Sequence, residues 1–144
     1  YPSHWYTHRL YRKLMLGLGS SISTSSASRE ITVNGNFGTG ADSDWTAGTG
    51  WTVAGEATSD GTTSNLDQIV LESGKEYKVT IKVKNRTTGT LSVRFGGDSD
   101  DQALLVDSNG TKFSSKKIAG GTTLRLRSQS SFDGTIEYIS VTEV

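Results

Sequence analysis

From residue 31 onward, apolar and polar positions alternate with a period of two. Tyr77, Val79, Ile81 and Val83 alternate with Lys78, Thr80, Lys82 and Lys84, the pattern of a strand with one face in a core and one in water. Leu91, Val93 and Phe95 repeat it, and Leu124 and Leu126 alternate with Arg125 and Arg127. Ile31, Val33 and Phe37 open this region, Trp51 and Val53 follow on one parity, and Leu66 to Leu71 form a compact apolar patch. Near the end, Ile136 and Tyr138 lie on one parity and Ile139 and Val141 on the other, which predicts a bulge between them. The pattern places Trp51, Tyr77 and Tyr138 in the core. Turn signals separate the runs: Gly48-Thr49-Gly50, Asp60-Gly61, Ser73-Gly74, Thr88-Gly89, Asn109-Gly110, Gly120-Gly121 and Asp133-Gly134. Such pairs supply the positive φ of hairpin turns. Eight or nine short strands at this spacing predict an all-β fold, an antiparallel β-sandwich (jelly roll).

The first 29 residues follow a different period. Tyr6, Leu10 and Leu14 recur every four residues, the spacing of one helical face, with Ser3 as a candidate N-cap. Gly17 and Gly19 would end that helix, and the Ser-rich run from Ser20 to Ser28 reads as a linker. The chain therefore divides into an extended or short-helical arm, residues 1–29, and a sandwich domain, residues 30–144. Three readings of the arm compete. A signal peptide needs a longer apolar core than Leu14 to Leu18, which glycine interrupts. A membrane-surface helix fits Trp5, Tyr6 and the cations. The favoured reading is a docking anchor on a partner protein, through Trp5, Tyr6, Arg9, Leu10, Tyr11, Arg12 and Leu14. Trp, Tyr and Arg dominate interface energetics, and so short a segment cannot form a core alone. His4 and His8 would share a helical face but have no third metal ligand nearby.

Composition sharpens this picture. Glycine accounts for 17 of 144 residues and proline for one. Ser and Thr together supply 39, which favours strands and turns over a helical bundle. Cysteine is absent, so disulfides, thiolate metal sites and cysteine nucleophiles are excluded. No apolar run reaches the length of a membrane helix. The net charge is zero, which argues against a general nucleic-acid binder. That zero conceals an asymmetry. Residues 1–29 carry four basic side chains and no acid, leaving 11 basic and 15 acidic for the rest.

The chemistry of catalysis is thin. Both histidines lie in the arm, so a Ser-His-Asp site would have to borrow its base from there. No phosphate loop and no H-E-x-x-H occurs. The acidic run Asp98-Ser99-Asp100-Asp101 lacks the spacing of a calcium loop and reads as a solvated turn. An enzyme, acting on polysaccharide through paired carboxylates, is the weakest reading. Sugar binding needs an exposed aromatic face flanked by polar side chains. Trp45, in a Gly-rich loop, is the candidate platform, with Gln68, Arg94 and Arg125 as polar candidates on strands.

Several segments resemble jelly-roll carbohydrate-binding-like modules of the kind found in bacteriophage virion proteins. They are Asn34-Gly35-Asn36-Phe37 with Trp45 and Gly50-Trp51, then Gly74-Lys75-Glu76-Tyr77 leading into a central strand. The last is Phe132-Asp133-Gly134-Thr135-Ile136-Glu137-Tyr138-Ile139-Ser140-Val141 at the close. The resemblance covers about residues 31–144. It implies the fold, and in some members a structural calcium between the first strand and an Asp of the closing strand. The matching positions here are Asn36 and Glu137, each standing where members have Asp. No other cofactor is expected. By analogy with small decoration or tail-attached proteins, the expectation is a non-enzymatic virion structural protein located on the extracellular particle. It would form a symmetric multimer, held to other virion proteins by residues 1–29, and contact host glycans through Trp45, Gln68 and Arg94. The alternative is a carbohydrate-binding module of a secreted or cell-surface bacterial protein. Neither reading involves nucleic acid or a membrane span.

Overall fold

A computed structural model of the chain describes residues 28–38 and 44–144. The expected docking residues Trp5, Tyr6, Arg9, Leu10, Tyr11, Arg12 and Leu14, and the histidines, lie outside the described residues. The described chain is all-β and antiparallel, as the alternation predicts. Its strands are β1 (Arg29–Glu30), β2 (Thr46–Ala47), β3 (Trp51–Val53), β4 (Ala57–Asp60), β5 (Asn65–Ile69), β6 (Glu76–Phe95), β7 (Gln102–Val106), β8 (Gly110–Phe113), β9 (Lys117–Ile118) and β10 (Thr123–Glu143). A 3-10 turn, Ser99–Asp101, precedes β7. Among the described residues no helix is long and apolar enough to cross a membrane.

Two strands organise everything else. β6 and β10, of 20 and 21 residues, pair with each other almost end to end. Each bends midway, so the pair belongs to two halves of a sandwich. In the first half the order is β2, β5, the start of β10, the end of β6, then β7. In the second, β3 and β4 flank the end of β10, which pairs with the start of β6, and β8 covers the far edge. Apolar side chains of both halves, among them Leu66, Leu91, Val93, Leu126, Ile81, Ile136 and Val141, meet in one core.

The bends correct the expectation of short strands. Thr88-Gly89 and Asp133-Gly134 are not hairpin turns but lie inside β6 and β10. The corner is built from left-handed residues: Asn85 and Gly89 in β6, Ser130 and Ser131 in β10. The two bends nest so closely that a Cβ on Gly89 would sit 2.2 Å from the Phe132 backbone nitrogen. Only glycine supplies both the positive φ and the missing atom there. Thr88 donates its hydroxyl to the Ser131 carbonyl at 2.8 Å and ties the bends together.

The predicted slip near the end is present as a register shift between Ile136 and Tyr138, which brings Ile139 and Val141 inward. Tyr138 is left half-buried rather than in the core. At the start, Arg29 pairs with Glu143 and Glu30 with Thr142, so strand pairing reaches one residue into the segment assigned to the arm.

Candidate functional site

Two of the three sugar-contact candidates are structural. Trp45 is 1% exposed. Its ring packs on Phe37 at 5.4 Å between centroids, and its Nε1 donates to the Asn34 carbonyl at 3.0 Å. A platform must show one ring face to ligand, and Trp45 shows neither. The glycine-rich surroundings misled because here they mark close packing rather than an open loop. Gln68, 5% exposed, points inward from β5. Its Nε2 donates to the carbonyls of Val33 and Asp44 and its Oε1 accepts from the Val33 N–H, at 2.8–3.0 Å. It fastens the segments on either side of residues 39–43 to the sheet.

Arg94 is different. It is only 9% exposed, yet it lies on the outer face of the first half. In β6 the odd positions Leu91, Val93 and Phe95 face the core, so Ser92 and Arg94 project the other way. Pairing aligns neighbours on that face. Arg94 lies opposite Arg125 of β10, which lies opposite Asp67 of β5; Ser92 lies opposite Arg127, which lies opposite Asn65. On the β7 side stand Gln102 and Leu105.

The hydrogen bonds divide this face into an anchored part and an unneutralised part. Arg125 grips Asp67 with two parallel bonds, Nε to Oδ1 at 3.0 Å and Nη2 to Oδ2 at 2.9 Å, the bidentate geometry that gives guanidinium–carboxylate pairs their strength. That pairing raises the Arg125 pKa. Arg94 donates Nε to the Ser92 hydroxyl at 3.2 Å and Nη2 to the Gln129 Oε1 at 2.7 Å, and Ser92 donates onward to the Gln102 Oε1 at 2.8 Å. Arg127 donates to the Asn65 Oδ1 at 3.2 Å. Among the described residues, every acceptor of Arg94 and Arg127 is neutral. Burial first, then Arg127 and Arg125, push the Arg94 pKa down, while Asp101 and Asp98 oppose them from a distance. An arginine remains charged regardless.

The acidic loop forms the rim of this face. The Asp101 carboxylate fills a notch that side chains at Gly96 and Gly120 would block, since a Cβ on either would lie 2.1 Å from it. It accepts the Asp98 N–H at 3.1 Å. Arg125 reaches the same loop through the Gly97 carbonyl at 3.1 Å.

The two positions matched to the calcium site have other partners. Glu137 is held by Lys82 at 3.0 Å and Lys84 at 3.7 Å, and the Lys82 hydrogen bond keeps its carboxyl below the usual range. Asn36 turns its Oδ1 back to the Gly38 N–H at 3.2 Å. The opening turn does meet the closing strand, Ile139 donating to the Gly35 carbonyl at 2.8 Å, but Glu137 is committed to lysines. Among the described residues, no three His, Cys, Asp or Glu side chains gather as a metal site requires.

No protein-family model matches the chain, and no curated protein matches it in sequence.

The residues that sequence reasoning missed are Ser92, Gln102, Arg127 and Gln129. One signal was present. Arg125 and Arg127 alternate with core leucines, as Ser92 and Arg94 do with Leu91, Val93 and Phe95, so both sets share a face if the two strands are neighbours. That adjacency joins residues about 30 apart and is not written in either strand.

Proposed function

We propose that the chain is a non-enzymatic structural protein of a bacteriophage particle, a decoration or tail-attached module. Residues 1–29 dock it, in symmetric copies, on other virion proteins. The sandwich projects outward and contacts host-surface glycans. The observation that carries this reading is the polar face of the first half. It holds a buried arginine among hydroxyl and amide groups, on a sandwich whose described residues close a core of their own. It offers hydrogen-bond donors in fixed positions, which suits the binding of a polar ligand.

Removing residues 1–28 while keeping β1 tests the docking role. The shortened chain is expected to fold with unchanged stability and to be lost from purified particles. Incorporation at full copy number would overturn it. A second reading, a carbohydrate-binding module of a secreted or cell-surface bacterial protein, is favoured by the same face. In that case glycan binding would persist and no particle would carry the chain.

A further inference from the structure

We infer that the outer face of the first half binds a singly charged oxyanion carried on a hydroxyl-rich polymer, seated between Arg94 and Arg127. This deepens the glycan-contact part of the proposed function and rests on it.

A buried guanidinium is costly unless an opposite charge repays its lost hydration. Among the described residues, Arg94 has no carboxylate in hydrogen-bond contact to repay it. Its two acceptors are a hydroxyl and an amide. Directly across on β10 stands Arg125, with Arg127 diagonal to it, and both make its charge harder to hold. Among the described residues, the one carboxylate in contact with the three arginines is Asp67, and Arg125 occupies both of its oxygens. Among the described residues, Arg94 and Arg127 therefore carry two guanidinium charges with no carboxylate in direct contact.

Planar forks of this type recognise paired oxygens. Around them, Gln102, Gln129 and Asn65, each at least partly exposed, can exchange hydrogen bonds with sugar or polyol hydroxyls. The rim limits the charge. The loop carrying Asp98 and Asp101 borders the face where Arg125 bonds its Gly97 carbonyl at 3.1 Å, so a doubly charged phosphate monoester meets repulsion that a carboxylate or a phosphodiester largely escapes. The shared chemistry is a monoanion on a polyol chain, from either a uronic-acid polysaccharide or a polyol-phosphate polymer.

Calorimetric titration of the full chain with three probes tests this: galacturonate oligomers, glycerol-phosphate oligomers and neutral dextran oligomers. One anionic probe is expected to bind, weakening as salt rises, and dextran is expected not to bind. The anionic probe that binds names the source. Arg127→Gln should weaken that binding about tenfold, the worth of one charge-assisted hydrogen bond. Arg94→Met should abolish it, and Lys82→Gln in the second half should leave it unchanged. If Arg94→Met fails to fold, Arg127→Gln decides alone. Equal binding of dextran, untouched by Arg127→Gln, would overturn the charge requirement and leave glycan contact standing. Binding of none of the three would remove both.

Discussion

The two halves of the sandwich are made from the same two strands, yet they handle charge in opposite ways. In the first half, β6 and β10 contribute arginines, and one of them is buried without a carboxylate partner. In the second half, the same strands contribute Lys82, Lys84 and Glu137, half-exposed and paired with one another and with Glu56. Lys75 likewise sits between Glu72 and Glu143. Ion pairs of this exposed kind contribute little to stability, but they leave a balanced, soluble face. In the first half Arg94 is desolvated and has no ion pair among the described residues, which does not favour folding. The difference teaches that mutual neutralisation explains the charges of one half and leaves Arg94 and Arg127 of the other unexplained.

The largest expected effect asks whether the halves are one cooperative unit. Trp45 sits in the core beside β2 and is packed on Phe37. Trp45→Ala should cost about 3–5 kcal/mol, read by denaturant unfolding. Tryptophan fluorescence and far-UV circular dichroism should report one coincident transition, because one core joins both halves. Two separated transitions would break the comparison at its root by making the halves independent. Next in size is the corner they share. Gly89→Ala places a Cβ against the Phe132 backbone at a positive φ. It should cost roughly 3 kcal/mol, combining a left-handed alanine with forced repacking. Gly74→Ala, also at positive φ but with open space around it, should cost only about 1–2 kcal/mol. Equal losses at the two positions would mean that the corner tolerates separation.

This corner also marks where the sequence stops being legible. The alternation in 77–83 and 124–127 identifies strands, their buried faces and the slip after Ile136, because burial of one face imposes period two directly. Strand length was misread because Thr88-Gly89 and Asp133-Gly134 look like hairpin turns, and positive φ serves a bend as well as a turn. The site was half legible for a related reason. Arg94 stands out as a charge between core residues, but its partners Arg127, Gln129 and Gln102 reach it through strand pairing across the sheet. Trp45 is misplaced because its glycine-rich surroundings suit an open loop, and Gln68 because a polar side chain on a strand reads as solvent-facing, whereas both are buried.

The middle effect has the opposite sign. If Arg94 is retained for a ligand, then Arg94→Met, similar in volume and without charge, should not destabilise the chain. Replacing an uncompensated buried charge with an apolar group is commonly neutral or stabilising, here by roughly 0–2 kcal/mol. Ser92 keeps its bond to Gln102, and the half-exposed Gln129 can turn to water. The midpoint of chemical denaturation should stay or rise while anion binding disappears, the trade expected of a binding residue. A loss of more than about 2 kcal/mol would instead make Arg94 a structural clamp and bring the first half closer to the second.

The smallest effect belongs to the second half and appears mainly as a pH dependence. Lys82, then Lys84, hold the Glu137 carboxyl below its ordinary value of 4.5. A group whose pKa is depressed on folding contributes stability above its unfolded value and loses that contribution as pH falls through the folded one. Lys84 behaves as the mirror image. Glu56 first, helped by Glu137, raises it above 10.5, so its contribution holds below that value and fades as pH climbs through the raised one. Glu137→Gln should therefore lower the midpoint of urea unfolding slightly at neutral pH and flatten its decline on the acid side of 4.5. The loss at high pH should stay largely intact, because Glu56 still faces Lys84. Salt should erase most of the difference between variant and parent, since these side chains are solvated. A salt-resistant change would mean that the second half holds its charges as tightly as the first, and the contrast between them would then be one of sign rather than of solvation.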